Sequence, residues 1–328
     1  MGTVLGAFLS KAGYDVDLIN RNQAHVEGLN RHGAQIEGTL SMTQPVHALL
    51  PQEMEGPYDI ILLMTKQRHN EDIVRFLTPF LDPNGILCTM QNGIPEPAIA
   101  AIIGADRTVG CTMAWGATFH GEGRVELTTQ PSPETLTFSI GTVGAVDSSR
   151  FEHIVSMLET MGKVTIEENW IGARWAKLLI NSAFSGLSVI SGWTFGEIAQ
   201  DRRSRRLALS IIHECMHVAE AAGIHIEPLQ GKDVYRLMGP GGFWKTRFSL
   251  FVLPIAMRKH KHIRSSMLRD LARGLTTEVD AINGVVSAEG RRVGVPTPFN
   301  DAIVAITRDI ELGKAQSDPS QFDRLMRL

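Results

Sequence analysis

At 328 residues the chain is about twice the length of an ordinary domain, and two domains are expected. With 43% hydrophobic and 20% charged residues it has a globular composition, which excludes a disordered or fibrous protein. Its 32 basic and 35 acidic residues leave a net charge of −3, no electrostatic footprint for a nucleic acid or an anionic membrane. The strongly apolar run from Ser249 to Met257 is too short to span a bilayer, and no basic stretch followed by an apolar one opens the chain. Cys88, Cys111 and Cys215 are widely spaced without a C-x-x-C pair, which reads as buried, reduced thiols in a cytoplasmic protein.

Taken in order, the pattern predicts a helix over Gly6–Ala12, a strand over Tyr14–Ile19 and a helix over Arg21–His32. A buried strand is predicted over Asp59–Met64, a helix over Glu71–Leu81, a short strand over Ile86–Met90 and a helix over Glu96–Ile103. Strands alternating with helices of this length mean βαβ units and a parallel sheet. Between Thr108 and Gly141 strand segments separated by Gly-rich turns predict an antiparallel annex at the sheet edge. Beyond Val146 the chain reads as helical, over Ser149–Met161, Trp170–Ile190, Arg202–Ala222 and Thr277–Val293. The expected division is an α/β domain of Rossmann type over residues 1–165 and an all-α domain over 166–328. Thr277 with Asp280 predicts a capping box, Arg291 and Arg292 before Gly294 suit a helix C-terminus, and Thr297-Pro298 reads as N-cap and first turn of the next helix.

The opening MGTVLGAFLSKAG puts Gly2 at a helix entry. It reads as the last glycine of a G-x-G-x-x-G turn, the one needed for close helix–strand packing, with the strand and the first two glycines expected ahead of Met1. A lone glycine is equally a helix-packing residue. Where an NAD-binding unit of this kind carries a carboxylate for the ribose, the strand here ends in Asn20-Arg21. A guanidinium suits the 2′-phosphate of NADP; the alternative is a solvated loop arginine. Lys66 and Gln91-Asn92-Gly93 each follow a predicted strand, at the carboxyl edge where open sheets bind ligands.

Lys177, Asn181 and Ser185 recur at i, i+4 and i+8 along an apolar helix, either as its solvent face or as the wall of a polar cavity. Glu278 falls in a first helical turn, where the helix dipole alone accounts for a carboxylate. His213-Glu-Cys-Met-His217 satisfies H-E-x-x-H, with Glu214 in the position of a general base for zinc-bound water. Helical position makes Glu220 and His225 poor third ligands, so no metal is expected. His260-Lys-His262 reads as a basic loop.

Together MGTVLGAFLSKAG, QNGIPEP, ARWAKLLIN, SSMLRDLARGLTTEVDAINGVV and GVPTPFNDAI, in this order and spacing, resemble the ketopantoate reductase (2-dehydropantoate 2-reductase) family over essentially the whole chain. The resemblance implies a Rossmann domain followed by a helical domain for substrate and dimerisation. It implies transfer of hydride from NADPH to a 2-oxo acid, 2-dehydropantoate giving pantoate for pantothenate biosynthesis, by a cytoplasmic homodimer. It makes Lys177 the catalytic lysine, with Glu278 at the cofactor and active site. Asn181, Ser185 and Ser266 become substrate-binding, Asn92 a contact to both cofactor and substrate, and Gly2, Arg21, Lys66 and Ala117 cofactor-binding, Ala117 on a loop. The H-E-x-x-H stretch becomes a packing helix.

Three departures accompany the resemblance. The absent strand and glycines predict weak NADPH binding by residues 1–328 alone. Ser185 and Phe195 stand where the family has asparagines, so hydrogen bonds to the far end of the substrate are lost and specificity is expected to move with them. The alternatives are therefore a paralogue reducing another 2-oxo acid or ketone, and a nucleotide-binding homologue without turnover.

Overall fold

Two apolar runs, in Tyr58–Leu63 and Leu81–Thr89, lie side by side as parallel strands, and the rest of the main sheet grows from them. The computed structural model describes residues 1–132, 134–229 and 231–328. It divides into an α/β unit, Met1–Gln91 with Pro95–Trp170, and an all-helical unit, Asn92–Ile94 with Ile171–Leu328.

In the α/β unit the main sheet has five strands in the order Val164–Ile166, Phe138–Thr142, Thr108–Met113, Leu81–Thr89 and Tyr58–Leu63. All neighbours are parallel except Phe138–Thr142 against Thr108–Met113. The helices Asn70–Leu77, Glu96–Ile103 and Ser148–Glu159 belong to this unit. Asp17–Ile19 and His47–Leu49 form a separate parallel pair, in which Asp17 lies opposite His47 and accepts from its Nδ1–H at 2.6 Å. The hairpin Ala117–Gly121/Arg124–Leu127 is antiparallel as expected, but it does not extend the main sheet. It runs parallel to Ala34–Gly38 in a third sheet completed by Met42–Gln44, elements that the sequence pattern did not announce.

Local chemistry sets the element ends. The helix expected from Arg21 starts at Gln23, because the Asn22 side chain caps it by accepting the His25 N–H at 3.1 Å. The helix expected to reach Leu81 stops at Leu77 and tightens into a 3₁₀ turn over Thr78–Phe80, where Pro79 has no N–H to continue the ladder. The opening helix spans Gly2–Lys11. The close approach expected at Gly2 falls instead at Gly6: a Cβ there would lie 2.8 Å from Leu18, whereas one at Gly2 would meet only Met64 Sδ at 3.8 Å.

The helical unit is built round Arg202–Ala221, whose Leu207, Ile211, Ile212, Cys215 and Met216 are buried. Val279–Val293 and Pro298–Glu311 pack with it. Two expected caps are replaced. Thr277 Oγ1 accepts the Val279 N–H, while Asp280 pairs with Arg308 at 2.7 Å, so no capping box forms. Thr297 does precede the Pro298 helix, but the N–H groups of Phe299 and Asn300 go to the Glu214 carboxylate, at 2.8 and 2.9 Å. Among the described residues no helix is long and apolar enough to cross a membrane.

Candidate active site

The α/β unit gathers several of the expected residues at the carboxyl ends of parallel strands. Asn20 and Arg21 follow Asp17–Ile19 directly. Asn20 Oδ1 accepts the Asn22 N–H at 2.9 Å, a local turn that fixes the backbone and leaves Arg21 exposed. Half-buried Lys66 follows Tyr58–Leu63, and Gln91 follows Leu81–Thr89. Gln91 binds these two strand ends together: its Nε2 donates to the Thr65 carbonyl at 3.0 Å and to Asn70 Oδ1 at 2.9 Å, while its Oε1 accepts from Thr89 Oγ1 at 3.0 Å. The sequence singled out Asn92 here and gave Gln91 no role; its burial beside an exposed neighbour marks it as the structural member of the pair. Ala117 opens a strand, paired with Leu127, rather than lying on a loop. Gly116 before it is held by Thr129 Oγ1, 3.0 Å from its N–H.

Asn92 is exposed and counts with the helical unit, where neighbouring Ile94 packs against the core. In that unit Lys177 lies near the end of the α-helix Trp170–Ile180, and Asn181–Ser185 continue it as a single π turn before Gly186–Ser191. Lys177, Asn181 and Ser185 are all half-buried. The α-helical spacing that defined one stripe holds for Lys177 and Asn181 only, since the wider π turn changes the angular step before Ser185. Such a turn frees backbone carbonyls, and that of Ser182 is taken by Asn283 Nδ2 at 3.0 Å. Ser265 caps the helix Ser266–Leu271, accepting from Met267 N–H at 3.3 Å, and its own N–H donates to Ser188 Oγ at 3.0 Å. Ser266 is left half-buried at the helix start. Glu278 is buried at the N-cap of Val279–Val293.

Phe195 is a core residue: 8% exposed, it packs on Phe184 with ring centroids 5.6 Å apart. Its N–H donates to the Ile263 carbonyl at 2.8 Å, and that of Gly196 to Lys261 at 3.1 Å, so the basic loop is stitched to this helix through backbone.

The H-E-x-x-H residues have structural partners. His213 Nε2–H donates to the Met238 carbonyl at 2.9 Å, and His217 is exposed. Glu214, besides capping the Pro298 helix, accepts from Asn300 Nδ2 at 2.7 Å, and Asn300 Oδ1 accepts from Asn283 at 2.9 Å. The carboxylate thus begins a buried relay, Glu214–Asn300–Asn283, that ends on the π turn. Burial pushes the Glu214 carboxyl above its usual range while the bonds from Phe299 and Asn300 pull it back. Among the described residues no group of three or more His, Cys, Asp or Glu is placed to hold a metal ion.

Two family models match the chain: ketopantoate reductase PanE/ApbA over residues 1–139, and the C-terminal part of ketopantoate reductase PanE/ApbA over 169–311. A 2-dehydropantoate 2-reductase of Mesorhizobium japonicum is 28% identical, covering 94% of each chain. That of Pyrococcus horikoshii is 26% identical over 94% of this chain and 93% of its own. Among solved structures, D-mandelate dehydrogenase with NADH and anilino(oxo)acetate superposes with a TM-score of 0.80 at 21% identity, covering 95% of this chain and 96% of that one. A PanE/ApbA family ketopantoate reductase from Ralstonia eutropha gives 0.77 at 22% identity, covering 94% and 95%.

Proposed function

Since the chain belongs to the ketopantoate reductase PanE/ApbA family, we propose that it reduces a 2-oxo acid to the 2-hydroxy acid, with 2-dehydropantoate as substrate and NADPH as the preferred reductant. The observation that carries the reading is Lys177 and Asn181, one turn apart and half-buried at the entry to a π turn, on a helix whose other residues, Arg174 apart, are apolar.

The strand-end residues fit a nicotinamide dinucleotide. Arg21 is an exposed cation on a backbone turn fixed by Asn20, and Lys66 stands at a second strand end. No carboxylate occupies positions 20–22 to repel a 2′-phosphate. When bound, the reduced nicotinamide supplies the hydride that reaches C2 of the substrate. Lys177 as ammonium holds the carbonyl oxygen, offsets the negative charge that develops there and gives it a proton, which completes the hydroxyl. Asn92, Asn181 and Ser266 hold the 2-oxo carboxylate, and Glu278 orders the lysine. The α/β unit is assigned to the nucleotide and the helical unit to the substrate.

A second reading, a bulkier or less polar 2-oxo acid, is favoured by Ser185, which is shorter than an amide, and by Phe195, which lies in the core. The likeness to D-mandelate dehydrogenase bound to anilino(oxo)acetate supports it. The test follows NADPH oxidation, at saturating cofactor, with 2-dehydropantoate and a panel of branched and aromatic 2-oxo acids. The highest kcat/KM is expected for 2-dehydropantoate. A clear preference for an aromatic acid moves the assignment to the second reading, and no turnover with any of them removes the reductase. Lys177→Ala should lower kcat by about 10²–10⁴-fold with little change in NADPH affinity; near-normal turnover would remove the lysine from the chemistry.

A further inference from the structure

Gly186–Ser191 carries the chain on from the π turn, and Ser188, three residues after Ser185, is wholly buried in it. A serine within a helix ordinarily turns its hydroxyl back on that helix, as Ser191 does to the Leu187 carbonyl at 2.7 Å. Ser188 does not. Its Oγ–H donates forward to the Trp193 carbonyl at 2.6 Å, and the same oxygen accepts the Ser265 N–H, 77 residues away, at 3.0 Å. The surroundings of this link are themselves fixed. Behind it the π turn is held by Asn283 on the Ser182 carbonyl, and ahead of it the Trp193 ring sits on Phe322 with centroids 5.3 Å apart.

The link bears on Ser266. Both neighbours of that residue are tied down, Ser265 through its N–H to Ser188 and Met267 through its N–H to Ser265 Oγ at 3.3 Å. The Ser266 hydroxyl itself makes no hydrogen bond to the described residues, and neither does the Asn181 side chain. One of these two open polar groups stands on the stretch of helix that leads into Ser188, and the other on the segment that Ser188 ties to it. Groups that bind one ligand together work only while they stay within about 0.5 Å of their places. A buried hydroxyl bonded on both sides, where water does not compete, gives that constraint. We propose that, with Asn181 and Ser266 read as substrate-binding residues, Ser188 is the positioning residue that sets one against the other. It governs how tightly the 2-oxo carboxylate is held and leaves the hydride and proton steps unchanged.

The test is the split between KM and kcat in the full chain, with 2-dehydropantoate varied at saturating NADPH. Ser188→Ala should raise KM for the acid about tenfold, with kcat within about threefold of the wild type and KM for NADPH unchanged. Ser188→Cys, close to serine in shape but a weaker hydrogen-bonding group, should move KM the same way by less, and it carries the test if the alanine variant does not fold. Ser249→Ala is the control. It removes an equally buried hydroxyl, one bonded to the Leu237 and Lys245 carbonyls, and should lower the urea midpoint while leaving KM unchanged. Added to Ser266→Ala, Ser188→Ala should raise KM by less than about twofold, because the group through which it acts is already gone. Wild-type KM in both Ser188 variants overturns the proposal, as does an equal rise in Ser249→Ala, or effects of Ser188→Ala and Ser266→Ala that multiply in full. Wild-type KM in Ser266→Ala alone overturns the reading of that serine as a substrate contact, and the positioning role falls with it.

Discussion

His25 is a buried imidazole held at both nitrogens. Its Nδ1 accepts the Gly123 N–H at 3.0 Å and its Nε2–H donates to Thr3 Oγ1 at 3.0 Å, an arrangement that only the neutral ring can make. Burial, with a smaller contribution from the charged N-terminus, holds its pKa below the ordinary 6.5. On acidification below about 6.5 the unfolded chain takes up a proton that the folded one refuses, so stability is full above that pH and falls as pH drops toward the folded pKa. His213 shifts in the same direction through burial. Urea midpoints at pH 7.5 and 5.5 should therefore fall with pH in the wild type and fall less in His25→Asn; equal slopes would show that His25 takes no part. Arg21 gives a second prediction at this scale. If it pairs with a 2′-phosphate, Arg21→Ala should erase most of the preference for NADPH over NADH, and an unchanged ratio of the two kcat/KM values would contradict the pairing. Both residues are in plain view in the sequence, but with unequal meaning. Arg21 draws attention through its position after a strand, whereas the partners of His25 lie 22 and 98 residues away and leave no local mark.

The π turn shows how one element depends on others distant in sequence. Asn283 satisfies the Ser182 carbonyl from 101 residues away, and Asn300 carries the connection on to Glu214. Asn283→Leu leaves that carbonyl buried without its donor, a cost of about 1–3 kcal/mol that a urea midpoint would register. Glu214→Gln sets an amide against two backbone N–H groups and should destabilise by a similar amount. If Glu214 served a zinc-bound water instead, stability would hold and stoichiometric zinc would be found in the purified protein. The helix carrying H-E-x-x-H was legible from its apolar period, and so were the strands Tyr58–Leu63 and Leu81–Thr89 in outline. The purpose of Glu214 was not, because the N-terminus it caps is 85 residues later. Met42–Gln44 and His47–Leu49 escaped for another reason: three residues are too few to display an alternation. The expected Thr277 capping box failed because the helix begins one residue later than the pattern suggests, with Glu278 at its N-cap, which puts Asp280 in the second helical position, where it pairs with Arg308.

At the scale of the whole chain the sequence placed the change from α/β to helical near residue 165, and the second unit resumes at Ile171. It gave no sign that Asn92–Ile94 belong to that second unit. The stretch QNGIP, between a strand and a helix, looks like an ordinary connection, and the half-buried Ile94 within it is too short a signal to announce a distant core. Half-burying an isoleucine stabilises by about 1 kcal/mol. A fragment of residues 171–328 should accordingly unfold at lower urea than the same fragment carrying an appended Asn92–Ile94 segment, and identical midpoints would deny these three residues a part in the helical core. The same feature bears on how the protein is made. On the ribosome the α/β unit emerges first, and Ile94 waits unburied until the chain has passed Ile171, more than 70 residues further along, and the helical core has begun to form. The loop that interrupts the first unit therefore takes its place only as the second unit folds, so its settling reports on the helical core and not on the strands that flank it.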